Sequence, residues 1–377
     1  MNIIFYVNSH GFGHAKRATG IIRELLNLRR DVHVFVRTQK EFSAFAPLTR
    51  TCFGRPESDF FVVEADALRI DGEATARSLG NFLKTYDSTV QAEIDFFKDK
   101  NISRIISDVA FIAGDVGRLL DVPCIAVANF TWDWILKDVL EATDEGQANL
   151  KRMQTAYQKM SLVLQTPFNH SMTDTFGNVS IKCVPFALCD RKRKEQGETW
   201  LKIADKLKPP RTDFEHVLFY DIRGLPISEA ILRPLIESFK SIFFLILTGD
   251  GKPTETFLPN GAALGKGFDF DDAFNACTVF VCKLGYCTVG HCIEARKRLL
   301  FPTRIGFRED DLLRKVSDYI PAIEISRESC TSGAWHEKLQ ELLNLGEPSQ
   351  ELKLNGASVC AETILAHFES CINRGDR

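Results

Sequence analysis

Residues Ile3-Ile4-Phe5-Tyr6-Val7-Asn8-Ser9-His10-Gly11-Phe12-Gly13-His14-Ala15-Lys16-Arg17 decide how this 377-residue chain is read. The apolar run Ile3–Val7 predicts a short buried strand, and the glycines after it predict a tight turn. From Ala15 to Leu28 the apolar residues Ile21, Ile22, Leu25 and Leu28 recur at helical spacing. A strand that runs through a Gly-rich turn into a helix gathers backbone amides at one point, which favours an anion or a developing oxyanion. The turn is not a dinucleotide-binding loop, because His10 and His14 fill positions that such a loop keeps bare. An imidazole titrating near neutrality suits a general base. Capping the helix is the plainer role for the same two side chains.

The alternation of strand and helix continues along the chain. Val32–Val36, Phe60–Glu64, Ile102–Ser107 and Cys124–Val127 read as strands, Leu79–Lys98 and Ala113–Leu120 as helices. Between Pro185 and Pro210 the apolar signal fades and charges crowd together, Arg191-Lys192-Arg193-Lys194-Glu195 above all. The rhythm then restarts. Val217–Tyr220, Phe243–Leu247, Val279–Val281 and Leu299–Phe301 read as strands, with helices near Ser228–Phe239, Asp271–Ala276, Thr288–Lys297 and 360–371. Crossover helices between short strands mean parallel sheets covered on both faces. The expected class is therefore α/β, with two Rossmann-like domains over 1–188 and 211–358, a charged linker over 189–210, and a last helix over 359–377. Two such domains bind ligand in a cleft at the carboxyl ends of their strands. Length agrees, since single cores stop growing near roughly 250–300 residues.

At 45% hydrophobic and 26% charged residues the composition is that of a globular protein, which excludes a disordered or collagen-like chain. The net charge of −3 provides no global basic field, so a nucleic-acid partner would need a local patch. The 11 cysteines contain no CxxC pair, which removes the usual zinc and redox spacings. No apolar stretch approaches the ~20 residues of a membrane span, and the start lacks a signal-peptide pattern. A cytoplasmic protein with reduced thiols is expected.

Four further stretches carry chemistry. Ser107-Asp108-Val109 puts a carboxylate at a strand's carboxyl end, where it either orients a histidine or caps the following helix. Asn129-Phe130-Thr131-Trp132-Asp133-Trp134 sets aromatics beside an acid, which suits a sugar or a base as well as it suits a core edge. Lys283-Leu284-Gly285-Tyr286-Cys287-Thr288 follows a strand and opens a helix, so its amides, the Thr288 hydroxyl and Lys283 fit a diphosphate. Arg304-Ile305-Gly306-Phe307-Arg308-Glu309-Asp310-Asp311 places Glu309 and Asp310 where they suit hydroxyl recognition, or form a solvated loop.

Together these residues resemble the glycosyltransferase-B superfamily, and in it the glycosyltransferase-like N-terminal half of plant-type L-arabinokinases. The likeness runs through HGFGHAKR (10–17), ADAL (65–68), SDV (107–109), NFTWDW (129–134), VPFALCDRKRKE (184–195), KLGYCTVGH (283–291) and FPTRIGFREDDLLR (301–314), with a weaker echo in Asn355-Gly356-Ala357. A kinase half with its ATP-binding loop is not expected. The resemblance implies an acceptor domain first, a nucleotide-sugar domain second, and a last helix that crosses back to the first. It implies a metal-independent, inverting transfer from a nucleotide-diphosphate sugar, UDP-linked, to a hydroxyl acceptor, with no cofactor; a pentose such as arabinose is the guess it offers.

By the same resemblance His14 or His10 is the base, Asp108 its support, and Gly11, Gly13, Arg17, Trp132 and Asp133 serve the acceptor. Arg223, Gly224, Lys283, Gly285, Thr288, His291, Glu309 and Asp310 would serve the donor. Two departures stand out. His291 replaces the glutamate that reads ribose hydroxyls, and Asp221-Ile222-Arg223-Gly224 replaces a Gly-Gly turn. Two alternatives follow: a silent binding or scaffolding protein, and a viral-type enzyme glycosylating a modified DNA base, with Lys16-Arg17 and Arg191–Lys194 meeting phosphates.

Overall fold

A computed structural model describes residues 1–40, 42–45, 48–188, 193–225, 227–247, 254–265 and 267–375. The chain divides into two compact units: residues 1–63, 71–190 and 352–377 form the first, residues 64–70 and 191–351 the second.

In the first unit come β1 (Asn2–Val7), β2 (His33–Arg37) and β3 (Thr51–Gly54). After a hairpin of β4 (Glu64–Asp66) and β5 (Arg69–Ile70), which belongs to the second unit, follow β6 (Ile102–Asp108), β7 (Cys124–Ala128), β8 (Leu162–Gln165) and β9 (Ser180–Cys183). Their order is β3-β2-β1-β6-β7-β8-β9, with every pairing parallel. The chain leaves β1 towards β2 and β3, then returns to β6 on the other side, so strand order reverses between β1 and β6. Val7 there faces Asp108.

The helix Gly13–Leu28 forms because Ala18, Ile21, Ile22 and Leu25 share one face, and all four are fully buried on the sheet. Ile21, Ile22 and Leu25 each contribute about 1.5–3 kcal/mol by this burial. The C-terminal helix Gly356–Gly375 inserts Ala357, Cys360, Ala361 and Ile364 into the same core.

The second unit holds β10 (His216–Asp221), β11 (Ile242–Leu247), β12 (Glu255–Leu258), β13 (Gly261–Leu264), β14 (Val279–Cys282), β15 (Arg298–Pro302) and β16 (Ala322–Ile325). The order is β12-β13-β11-β10-β14-β15-β16, parallel except for β12. Its reversal lies between β10 and β14, where Asp221 faces Cys282.

Three expectations need correction. Phe60–Glu64 is not a strand of the first sheet: Phe60 is buried against Trp132, Phe82 and Phe111, so its apolar character feeds a ring cluster instead of a ladder. Leu79–Lys98 is two helices, Gly72–Lys84 and Tyr86–Phe97, which meet at Thr85. The stretch read as a linker over 189–210 contains the helix Gln196–Leu207 of the second unit, which buries Trp200, Ile203 and Ala204 at i, i+3, i+4. Residues 189–192 lie outside the described residues.

Candidate functional site

The strand-order reversal of the first sheet is where the two ends of the site meet. After Val7 the chain turns, with the His10 amide donating to Asn8 Oδ1 at 2.9 Å and Gly11 at φ +65°, a conformation glycine adopts without penalty. The helix then starts at Gly13, its N-cap Phe12 supplying no side-chain hydrogen bond, and His14 lies in its first turn. His14 Nδ1 sits 2.7 Å from Asp108 Oδ1, at the carboxyl end of β6. One turn further on, Arg17 closes the carboxylate from the other side. Its Nε donates to Oδ2 at 2.8 Å and its Nη2 to Oδ1 at 2.7 Å, while Nη1 donates to Asn129 Oδ1 at 2.8 Å.

Burial, the largest influence on Asp108, pushes its pKa up. The charge and hydrogen bonds of Arg17, then those of His14, outweigh it and hold the carboxyl below its ordinary value. Asp108 is thus an anion that fixes the His14 ring and favours the tautomer with the proton on Nδ1 and the lone pair on Nε2. Val109, the next residue, has φ +51°, a strained conformation for a β-branched side chain that costs on the order of 1–3 kcal/mol. Its carbonyl accepts the Tyr157 hydroxyl at 2.7 Å, and the Asp108 carbonyl accepts the Asn8 amide at 3.3 Å. The bend that presents Asp108 is therefore held from two sides.

Several expected roles shift. Arg17 is 1% exposed and grips Asp108, so it positions the dyad and does not face an acceptor. Trp132 is also buried. It is the wall that His10 meets edge-on at 5.9 Å between ring centroids and His14 at 6.2 Å. Asp133 points elsewhere: its Oδ2 accepts from Thr175 Oγ1 at 2.7 Å and Gln154 Nε2 at 3.1 Å.

Sequence reading missed Asn129, the anchor of Arg17, and Asp59. The Ser9 hydroxyl donates to Asp59 Oδ2 at 2.7 Å and accepts from the Gln39 amide at 2.8 Å. Burial pushes the Asp59 carboxyl up to about 6 against the lowering effect of its hydrogen bonds, Ser9's first. No periodicity marks Asp59, which lies in coil after β3.

In the second unit, Gly285 opens the helix Tyr286–Glu294, whose first turn includes half-buried Thr288 and has no side-chain cap. Each cation nearby faces a carboxylate. Lys283 Nζ is 3.8 Å from Glu64, and Arg223 Nε is 3.3 Å from Asp221. Arg304 is doubly bonded to Asp310 and also donates to the Leu284 carbonyl at 2.8 Å. Gly224, at φ +83°, packs beside Ala67 of the hairpin.

Asp310 is consequently the buried partner that locks Arg304 onto the loop, not a reader of hydroxyls, while Glu309 opens the short helix Glu309–Leu313. His291 is buried with Nδ1 3.6 Å from Glu294, which also takes Arg193 at 2.7 Å. It lies inside this cluster instead of at an open surface. Of the basic run, Arg191 and Lys192 lie outside the described residues, and Lys194 is paired with Asp272. Arg193, Lys194 and Arg17 are engaged while Lys16 is exposed, and a DNA acceptor gains no support from these residues.

Among the described residues no helix is long and apolar enough to cross a membrane.

Two largely parallel Rossmann-like sheets in one chain, each with a strand-order reversal, are the architecture of the glycosyltransferase-B fold, and this chain has it. Solved structures of that fold superpose along most of its length. Arabidopsis thaliana UGT89C1 complexed with quercetin gives a TM-score of 0.64 at 14% identity, covering 97% of this chain and 99% of that one. Medicago truncatula UGT71G1 complexed with UDP-glucose gives 0.60 at 14% identity, covering 97% and 98%. Among curated proteins, the chain is similar to an L-arabinokinase of Arabidopsis thaliana, 23% identical over 367 residues. That match takes in 96% of this chain but spans only 34% of the relative. No family model matches.

Proposed function

We propose that this protein is a metal-independent, inverting glycosyltransferase that moves a sugar from a nucleotide-diphosphate donor to a hydroxyl acceptor. The observation that carries the reading is the buried His14–Asp108 pair at the reversal of the first sheet, with Nδ1 engaged at 2.7 Å and Nε2 left over. His14 Nε2 takes the acceptor proton as the acceptor oxygen attacks the anomeric carbon. The bond from that carbon to the diphosphate oxygen breaks, the electron pair leaves with the nucleotide, and the configuration inverts. Asp108 stabilises the imidazolium that forms, and Arg17 with Asn129 holds Asp108 in place. His10 lines the same turn against Trp132.

In the second unit the amides that begin Tyr286–Glu294, with Gly285, Thr288 and Lys283, would hold the diphosphate. A uridine nucleotide is the donor we favour, because UGT71G1 was solved with UDP-glucose; quercetin on UGT89C1 favours a small-molecule acceptor over a macromolecule. Arabinose as the sugar rests only on the arabinokinase likeness, which covers a third of that protein.

His14→Ala should lower turnover by about 10²–10⁴-fold while the Kd for UDP-glucose changes less than about twofold. Single-turnover assays beside calorimetric binding check both numbers, and undiminished turnover would remove His14 as the base. The second reading, a catalytically silent binding or scaffolding protein that kept the fold, is favoured by the carboxylates that face Lys283, Arg223 and Arg304. Transfer from any nucleotide sugar ends that reading.

A further inference from the structure

The reversal of the second sheet holds a carboxylate that the reaction above does not use. Asp221 ends β10 opposite Cys282, beside the Lys283–Gly285 loop that opens the Tyr286–Glu294 helix. It is 8% exposed, and its Oδ2 lies 3.3 Å from Arg223 Nε. Its Oδ1 is buried and meets no hydrogen-bond donor among the described residues. In open parallel sheets this crevice is where ligands bind, and a helix N-terminus beside it draws their anionic groups.

Charges from every neighbouring element bear on the point. Arg223 comes from the loop after β10 and Lys283 from the loop after β14. Glu64 of β4 faces Lys283, and Arg304, after β15, is tied to Asp310. The Cys282 thiol is buried and pushed well above its ordinary pKa, so it stays neutral. The cations are thus largely offset before any ligand arrives.

Resting on the donor-site reading above, we infer that Asp221 is the charge gate of the nucleotide site: a nucleotide diphosphate is admitted with uptake of one proton by Asp221, and its carboxylate form opposes the ligand. Two anions brought together at low dielectric cannot both stay ionised cheaply, and of the two the carboxylate takes a proton the more readily. Burial already pushes the Asp221 carboxyl up, against the lowering pull of Arg223 and Lys283, and a bound diphosphate pushes it further in the same direction. Binding therefore weakens as pH rises through that pKa. The arrangement makes Asp221 a determinant of which donors bind: a neutral or singly charged phosphate ester meets less opposition than a dianionic diphosphate.

Calorimetric titration of the full chain with UDP-glucose from pH 5.5 to 8.5, in two buffers of different ionisation enthalpy, counts the protons taken up. The diphosphate of UDP-glucose stays dianionic across that range, so the ligand adds no titration of its own. The wild type should lose roughly tenfold in affinity from the acid to the alkaline end and take up at most about half a proton per ligand within that range. Asp221→Asn should bind roughly five- to twentyfold more tightly at pH 8, with a flat profile.

Binding by the wild type without proton uptake overturns the gate and leaves the donor site standing. Equal or weaker binding by Asp221→Asn at pH 8 also overturns it, and would make Asp221 an acceptor for a ligand hydroxyl. No binding of UDP-glucose by either protein at any pH overturns the donor-site reading and the gate with it. The proton count on the wild type decides even if the variant folds poorly.

Discussion

Replacing Asp108 with asparagine should reduce turnover by about a thousandfold or more and also cost about 3–5 kcal/mol of stability. The two losses have different origins. Turnover falls because an amide can present its N–H to His14 Nδ1 and so favour the wrong tautomer, and because no anion remains to stabilise the imidazolium. Stability falls because Arg17, 1% exposed, keeps its buried charge while losing the carboxylate that accepts two of its N–H groups. A second substitution separates them. Arg17→Gln combined with Asp108→Asn removes both buried charges, so most of the stability should return while turnover does not.

The pH dependence carries a sign. The Asp108 carboxyl is lower in the folded protein than in the unfolded chain, so its contribution is complete above the unfolded value, about 3.9. It fades as pH falls through the depressed folded value. Urea unfolding should therefore show the full gap between wild type and Asp108→Asn at pH 7, narrowing below about pH 4. A gap that is constant with pH would mean that packing, not charge, sets the loss.

The second large effect is expected at Gly356. Its amide donates to the Phe186 carbonyl at 3.0 Å, and a Cβ there would lie 2.0 Å from the Pro185 carbonyl oxygen and 2.6 Å from Pro185 and Phe186 backbone carbons. Neither neighbour is a flexible side chain, so Gly356→Ala must shift the start of the Gly356–Gly375 helix. That withdraws Ala357, Cys360, Ala361 and Ile364 from the first unit's core. A loss of about 3 kcal/mol or more is expected from equilibrium unfolding. Ala357→Gly, one residue on, serves as the control and should cost about 1 kcal/mol.

The strand, turn and helix around His14, and the carboxylate closing β6, were legible because each is a local signal: an apolar run, a pair of glycines, a helical period, an acid at a strand end. That His14 and Asp108 touch could not be read, since 94 residues separate them and only the β1–β6 pairing brings them together. The strain at Val109 left no mark either, because valine is an ordinary residue after a strand. The roles of Arg17, Trp132 and Asp310 went astray for one reason. Polar or aromatic residues inside a motif look like ligand contacts, whereas here burial turns them into supports for the residue beside them. Gln196–Leu207 was hidden by its charges, although Trp200, Ile203 and Ala204 keep a helical period.

The hairpin of β4 and β5 has a consequence for how the molecule comes apart. Ala67 and Leu68 pack in the second unit's core, while Val63 and Asp71, on either side, belong to the first. The main chain passes from one unit to the other at 63/64, 70/71, 190/191 and 351/352. No single cut therefore frees an intact half, and during synthesis the first unit's core remains incomplete until the segment from residue 352 has been made. Each unit is thus built from interleaved pieces of one chain, and its fold depends on segments that reach it by way of the other.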